Sequence, residues 1–323
     1  MTHINIAILG FGVVGSGVKK VIEENHDLIA KRLKKLTGKD FNIHIKKILV
    51  RNIEKYDQSL QKIMTEDISD IINDPKVHIV CELIGGDTVA VQYMDQAIKC
   101  QKHLVTANKM AIFNQHHRLF CSAKENSILF KYEAAVAGAL PVIKMVEESL
   151  ISDEVLELSG ILNGSTNYVL TKLKEGLSQE EAMNLAKEKG YLEADPSSDI
   201  LGFDPMYKLG ILAHLLYGEF PDEAHIKRVG IDTIDSGLIE KANKDSKKIK
   251  LIASIRDKGK SCSVGPKLIG PDNPLYHVDG SQNGILLKCK NAGDIFISGA
   301  GAGSRETAVS VVADIASIIL HAF

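Results

Sequence analysis

Asp204 and Lys208 stand four residues apart in the run FDPMYKLGILAHLLY, so a helix beginning near Phe203 carries a carboxylate and an ammonium on one face. They close a longer segment, GYLEADPSSDILGFDPMYK, that also holds Glu193, Asp195 and Asp199. Gly190, Tyr191, Gly202, Phe203 and two prolines interleave these acids and fix the direction of the backbone, which a merely solvated acidic loop does not need. Such a cluster suits a small charged ligand. Carboxylates accept charge-assisted hydrogen bonds from an amino group, while a lysine ammonium polarises a carbonyl oxygen and donates a proton to it.

A second chemistry is written at the amino terminus. Gly10, Gly12 and Gly15 form GxGxxG directly after the isoleucine-rich run INIAIL and at the start of a predicted helix. Glycines at these positions permit a tight turn, close approach of a pyrophosphate and close helix packing, the signature of a dinucleotide site. The residue that grips the adenosine ribose belongs at the end of the second strand, where an acid favours NAD. That strand ends ILVRN, which puts Arg51 at the position. Arg51 either accepts a 2′-phosphate, favouring NADP, or is a solvated strand end with Lys55 beside it.

Lys109 lies in VTANKM, at the carboxyl end of a predicted strand, where ligands of an open sheet bind; the alternative is a solvated terminus. CELIGG ends the preceding strand with two glycines that let the backbone approach a flat ring. Glu133 precedes AAVAGAL, whose small residues either expose carbonyl oxygens to a monovalent cation or form a packed corner. The adjacent His116 and His117 do not converge on one metal, and His214, in ILAHLL, reads as a core histidine. HExxH, GxSxG and GxxxxGK[ST] are absent, which removes the usual anchors of hydrolases and nucleoside triphosphatases.

The elements that must position these residues alternate. INIAIL, IHIKKILV, VHIVCEL, HLVTAN and ILFKYE read as strands. Helical stretches follow Val13 and cover Asp67 to Ile72, Thr88 to Lys99 and Gln115 to Lys124. This is the pattern of an α/β, Rossmann-type doubly wound parallel sheet over residues 1–135. After Gly138 a strand, EVLELSGIL, is followed by helices over Thr166 to Lys174, Gln179 to Lys189 and Phe203 to Tyr217. Ser178 and Glu181 form a capping box and Gly190 a C′ residue. Residues 136–303 are therefore expected to form a second, α+β domain; its part in substrate binding and dimerisation is what the family resemblance given below implies. The apolar residues of Thr307 to Leu320 recur at helical spacing, so a helix over 304–323 is expected to pack back on the first domain.

Length and composition agree. The chain has 323 residues, enough for two cores, with 45% hydrophobic residues and a net charge of −2 without a one-sided basic field. Nucleic acid and anionic membranes are thereby disfavoured as partners. Cys81, Cys100, Cys121, Cys262 and Cys289 are odd in number and contain no CxxC, which argues against a disulfide framework or a structural zinc. The amino terminus shows no basic leader and no apolar run is long enough for a membrane span, so the expected location is the cytoplasm.

GFGVVG, CELIGG, VTANKM, YEAAVAGALP, GILNGSTNYVL, GYLEADPSSDILGFDPMYKL and the terminal GAGAGSRETA occur in the order and spacing of homoserine dehydrogenases, which this sequence resembles from Ile6 onward. The resemblance implies an oxidoreductase, a homodimer, that interconverts L-aspartate 4-semialdehyde and L-homoserine with NADPH or NADH, in threonine, methionine and isoleucine biosynthesis. It puts the catalytic lysine at Lys208, a second active-site lysine touching cofactor and substrate at Lys109, and substrate carboxylates at Glu193 and Asp204. Cofactor contacts fall on Phe11, Gly12, Val13, Val14, Lys109, Gly190 and Gly303, beside Gly10, Gly15 and Arg51 read from the motif itself. A sodium site is implied at Glu133, Val136, Gly138 and Leu140, mostly through carbonyl oxygens. Many relatives continue into a regulatory ACT domain, whereas this sequence stops at Phe323; the expectation is little inhibition by threonine except in competition with homoserine. Other readings of the same features are a dehydrogenase acting on aspartate and a non-catalytic dinucleotide sensor.

Overall fold

A computed structural model describes all 323 residues, which fall into two compact units. The first comprises Met1–Ala135 and Gly303–Phe323, the second Val136–Ala302.

In the first unit, β1 (Thr2–Leu9), β2 (Phe41–Leu49), β3 (Met64–Thr65), β4 (Ile79–Glu82), β5 (His103–Thr106) and β6 (Phe130–Lys131) form one sheet in the order β3-β2-β1-β4-β5-β6. Every pairing is parallel. The two-residue period of a strand explains why both faces are clad. Ile4, Ile6 and Ile8 of β1 join one cluster with Val18, Val21 and Ile22 of the helix Val13–Glu24. Ala7 and Leu9 point the other way, into a cluster with Val91, Met94 and Ile98 of the helix Val89–Lys99. Each of these side chains is buried, and each large aliphatic one stabilises the fold by about 1.5–3 kcal/mol.

The first cluster is completed from the other end of the chain. Val311, Ile315, Ile318 and Ile319 of the helix Ser304–Ala322 enter it. That helix lies against Val13–Glu24 at Gly17, where a Cβ would stand 2.4 Å from the Ser304 carbonyl oxygen. Ser304 Oγ donates to the Val13 carbonyl at 2.7 Å and Arg305 pairs with Glu24 at 3.0 Å. Two features depart from the pattern expected above. A second helix, His26–Thr37, follows the first across Asn25 alone, and the helix expected from Gln115 begins six residues earlier, at Lys109.

The second unit is built on β7 (Val155–Ile161), β8 (Lys227–Arg228), β9 (Lys248–Arg256), β10 (Ser261–Ile269), β11 (Gln282–Cys289) and β12 (Gly293–Ala300), ordered β12-β11-β7-β9-β10-β8. The pairings are antiparallel except β10 with β8. The helices Gly164–Lys174 and Phe203–Tyr217 both contact β9. The Ser178 and Glu181 capping box opens the helix Gln179–Glu188, and Gly190, at φ 72°, turns the chain just after it. No helix of the protein is long and apolar enough to cross a membrane.

Candidate active site

The glycine turn builds one wall of a cleft of about 770 Å³ at the carboxyl edge of the first sheet. Its three glycines are required for three different reasons. Gly10 has φ 93°, and a Cβ there would lie 2.8 Å from the Leu83 carbonyl oxygen of the neighbouring chain segment. At Gly15 a Cβ would stand 2.1 Å from the Gly10 carbonyl, so only glycine lets the helix approach the turn. Gly12 has open space where its Cβ would be, the space a phosphate group needs in front of free helix N–H groups. Val13, in the first turn of this helix, is 69% exposed, while Val14 packs on the core. Phe11 lines the cleft and meets Tyr56 edge to face, with ring centroids 5.8 Å apart.

Arg51 and Lys55 line the same cleft, together with Asn52. The short turn that carries them is fixed from both sides: Asn52 accepts from the Glu54 N–H at 2.8 Å, and Glu66 accepts from the Ile53 N–H at 2.8 Å. Two cations are therefore held at the end of β2, where a nucleotide's ribose is recognised in this sheet topology.

The far wall of the cleft, Leu83 to Gly86, hangs on a buried carboxylate that no motif of the sequence marks. Glu82 is fully buried at the end of β4. Its Oε1 accepts from the N–H groups of Ile84 at 2.8 Å and Gly85 at 3.1 Å, and its Oε2 accepts from the Thr106 hydroxyl at 2.6 Å. Thr106 in turn accepts from the Asn108 N–H at 3.0 Å. Asn108 caps the helix Lys109–Glu125 through the Ala111 N–H and donates its amide to the Gly86 carbonyl at 2.6 Å. One chain of bonds thus ties CELIGG to TANK, and Lys109 occupies the first helical position beyond it.

In the second unit, Lys208 and Asp204 lie on the first turns of the helix Phe203–Tyr217 and are 9% and 6% exposed. Lys208 Nζ donates to Asp204 Oδ2 at 2.7 Å and to the Leu162 carbonyl at 2.8 Å. Asn163, at the end of the strand that becomes the helix Gly164–Lys174, adds a second layer. Its Oδ1 caps that helix by accepting from the Thr166 N–H at 2.8 Å, and its amide donates to Asp204 Oδ2 at 2.8 Å and Asp199 Oδ1 at 2.5 Å. The loop before the lysine helix is held by Arg228, which stacks 3.6 Å from the Phe203 ring centroid and donates to the Leu201 carbonyl.

The four acids of the GYLEADPSSDILGFD segment thus separate. Asp204 and Asp199 join the lysine network. Asp195 is an exposed turn residue, held below the usual carboxylate range by the Ser197 hydroxyl and N–H. Glu193 is exposed on the loop, outside the network, and Gly190 lies open just before it. Gly303 precedes the final helix at φ 142°, where the Glu306 carboxylate occupies the place of a Cβ. Glu133 is buried in the turn Glu133–Ala135, its N–H donating to Asp314 at 2.8 Å. Val136 and Leu140 are buried, and Gly138 has φ 59° with a Cβ position 2.5 Å from the Gly301 carbonyl. Cys81, Cys262 and Cys289 are buried free thiols, and burial pushes each upward from the ordinary thiol range, so they stay protonated.

A glycine-turned nucleotide cleft on a 3-2-1-4-5-6 sheet, and a buried lysine braced by a carboxylate and a carbonyl, define a nicotinamide-dependent dehydrogenase of small substrates. Two family models match: "Homoserine dehydrogenase, NAD binding domain" over residues 10–133 and "Homoserine dehydrogenase" over residues 141–316. A homoserine dehydrogenase of Bacillus subtilis is 36% identical over 99% of this chain and 73% of its own length. The crystal structure of a homoserine dehydrogenase from Thiobacillus denitrificans matches with a TM-score of 0.92 at 33% identity, over 98% of this chain and 73% of that one. A hyperthermophilic archaeal homoserine dehydrogenase in complex with NADPH matches with a TM-score of 0.83 at 28% identity, over 99% and 98% of the two chains. The chain belongs to the homoserine dehydrogenase family.

Proposed function

We infer that the protein reduces L-aspartate 4-semialdehyde to L-homoserine, reversibly, with Lys208 as the proton donor and acceptor. The observation that carries this is the Lys208 ammonium, buried and fixed by Asp204 and the Leu162 carbonyl. A nicotinamide cofactor supplies the hydride, and the cleft fits one: Gly12 leaves phosphate-sized space and Phe11 and Tyr56 offer aromatic surface. The aldehyde oxygen gains charge as its carbon is reduced, and a positioned ammonium both stabilises that charge and gives up a proton. Lys109 is assigned to cofactor and substrate oxygen. Glu193 and Asp204, with Asp199 added, are assigned to the substrate's amino group. Lys208→Ala should lower kcat in both directions by roughly 10²–10⁴, with NADPH affinity by fluorescence unchanged. Near-normal turnover in that variant would transfer the role to Lys109.

The remaining cofactor contacts are assigned to Gly10, Gly12, Val13, Val14, Gly15, Gly190 and Gly303. NADP(H) is preferred over NAD(H), a reading supported by Arg51 and Lys55 facing one cleft. A monovalent cation, sodium first, is assigned to carbonyl oxygens of Glu133, Val136, Gly138 and Leu140. Ala137 and Gly138, at φ 56° and 59°, bend this stretch so that successive carbonyls diverge from an extended path, which supports the reading. Tm should then rise with sodium or potassium and be indifferent to a divalent chelator; a loss in chelator restored by zinc or magnesium would contradict it. A homodimer is supported by the edge strand β12, whose Phe296 is 37% exposed, and is checked by light scattering.

A further inference from the structure

Lys208 rests on two oxygen atoms, and each is gripped a second time by an asparagine. Asp204 Oδ2 accepts from Lys208 at 2.7 Å and from Asn163 Nδ2 at 2.8 Å. The Leu162 carbonyl accepts from Lys208 at 2.8 Å and from Asn283 Nδ2 at 3.2 Å. Both asparagines are themselves immobilised. Asn163 is 5% exposed, with its Oδ1 committed to the Thr166 N–H and hydroxyl and its amide shared between two carboxylates. Asn283 is fully buried on β11, and its side chain lies flat against Gly301, where a Cβ would overlap it at 2.0 Å. Turning the Asn283 amide over would set its oxygen against the Leu162 oxygen, so the direction of donation is fixed.

We propose that Asn163 and Asn283 are a pair of positioning residues that fix the two acceptors of the Lys208 ammonium, so that its remaining N–H is aimed at the reacting oxygen. This role presupposes that Lys208 is the proton donor. A lysine ammonium has three rotatable donors on a flexible four-carbon stem, so a single carboxylate would leave its position loose. Two fixed acceptors remove that rotation, and the third donor is then the one that a substrate oxygen meets. Asn163 has a further effect on the acids. By donating to Asp199 and Asp204 together it holds two carboxylates side by side.

The test separates this role from the helix cap that Asn163 also provides. Asn163→Ser keeps a capping oxygen and loses the bridge, while Asn283→Leu keeps volume and loses the donor. Asn163→Ser should lower kcat for semialdehyde reduction by about 10–100-fold, the range for losing a hydrogen bond to a charged group, and Asn283→Leu, which loses one to a neutral carbonyl, by about 3–10-fold. NADPH affinity and Tm should stay near wild type. With 4-deuterated NADPH the isotope effect on kcat should rise, because a loosened proton donor slows the chemical step relative to product release. Asn163→Asp adds a third carboxylate beside Asp199 and Asp204; its deficit should narrow from pH 7.5 to 5.5 as the introduced carboxyl takes a proton and becomes a donor. Turnover within twofold of wild type in Asn283→Leu and Asn163→Ser, or loss in proportion to unfolding with an unchanged isotope effect, would overturn the proposal. Lys208→Ala, run in parallel, tells the two failures apart: an active alanine variant removes the lysine assignment itself, whereas an inactive one beside wild-type-like asparagine variants removes only the pair.

Discussion

Arg51 and Glu82 show what single side chains contribute to the nucleotide cleft. Arg51 stands where an acid would bind a ribose hydroxyl, and Lys55 lines the same space. Arg51→Asp should move the kcat/KM ratio toward NAD by about tenfold, since one charge-assisted contact contributes about 1.5–3 kcal/mol. An unchanged ratio would leave Arg51 a solvated strand end. Glu82 works from inside: Glu82→Gln would turn an amide toward the Ile84 and Gly85 N–H groups or the Thr106 hydroxyl, leaving buried donors unmatched at about 1–3 kcal/mol. The expected result is a Tm lower by several degrees, at about 2–4 °C per kcal/mol for a domain of this size, together with weaker NADPH binding. Unmoved melting and binding would show that the loop holds itself. Lys208, Asp204 and Arg51 could be read from the sequence because their spacing or strand-end position carries a mechanism. Asn163, Asn283 and Glu82 could not: each is a polar residue at or near the end of an apolar strand, and only the neighbouring chain segments reveal what it holds.

The parallel sheet was legible because its strands are runs of isoleucine, valine and leucine buried on both faces and punctuated by glycine. The helix His26–Thr37 escaped because Asn25 joins it to its predecessor without glycine or proline. Strand β9 carried little signal, since Lys248, Ser254 and above all Lys250 interrupt its apolar residues. The structure explains that lysine. Lys250 is 1% exposed and donates to Asn167 Oδ1 at 3.1 Å, the Val278 carbonyl at 2.5 Å and Asp279 Oδ1 at 2.9 Å, while Lys248 meets Asp279 Oδ2 at 2.5 Å. Burial pushes Lys250 below the ordinary lysine range. Burial also raises Asp279, but its bonds to Lys248 and Lys250 outweigh this and hold the carboxyl below its usual range. A lowered carboxyl gives stability that is present above its unfolded value, about 3.9, and is lost as pH falls through the folded one. In acid, below about pH 4, the turn Pro274–His277 and the residues after it should therefore loosen first, with the Gly280 amide, now bonded to Thr171, exchanging faster than the β9 amides. Simultaneous exchange of both sets would show that Asp279 is no local tether.

Two units divide the work: one presents a nucleotide cleft, the other a braced lysine among acids, and each has its own sheet. Relatives differ in how much lies beyond these units. This chain spans 73% of the Bacillus subtilis protein but 98% of the archaeal structure that holds NADPH, so both units belong to short and long forms alike. The second unit is one uninterrupted stretch, while the first is closed by the helix Ser304–Ala322, whose Val311, Ile315, Ile318 and Ile319 share a core with Ile4, Ile6 and Ile8. During synthesis the amino-terminal sheet must therefore leave the ribosome with one apolar face only partly covered, by the helix Val13–Glu24 and not yet by the last helix, and at about 5–20 residues per second it stays so for many seconds. Residues 136–302 emerge whole in the meantime and have every partner of their own sheet at hand. The unit that is made first is thus the last to be finished, and in the interval the part of its isoleucine face that the last helix will cover is a surface a chaperone could hold.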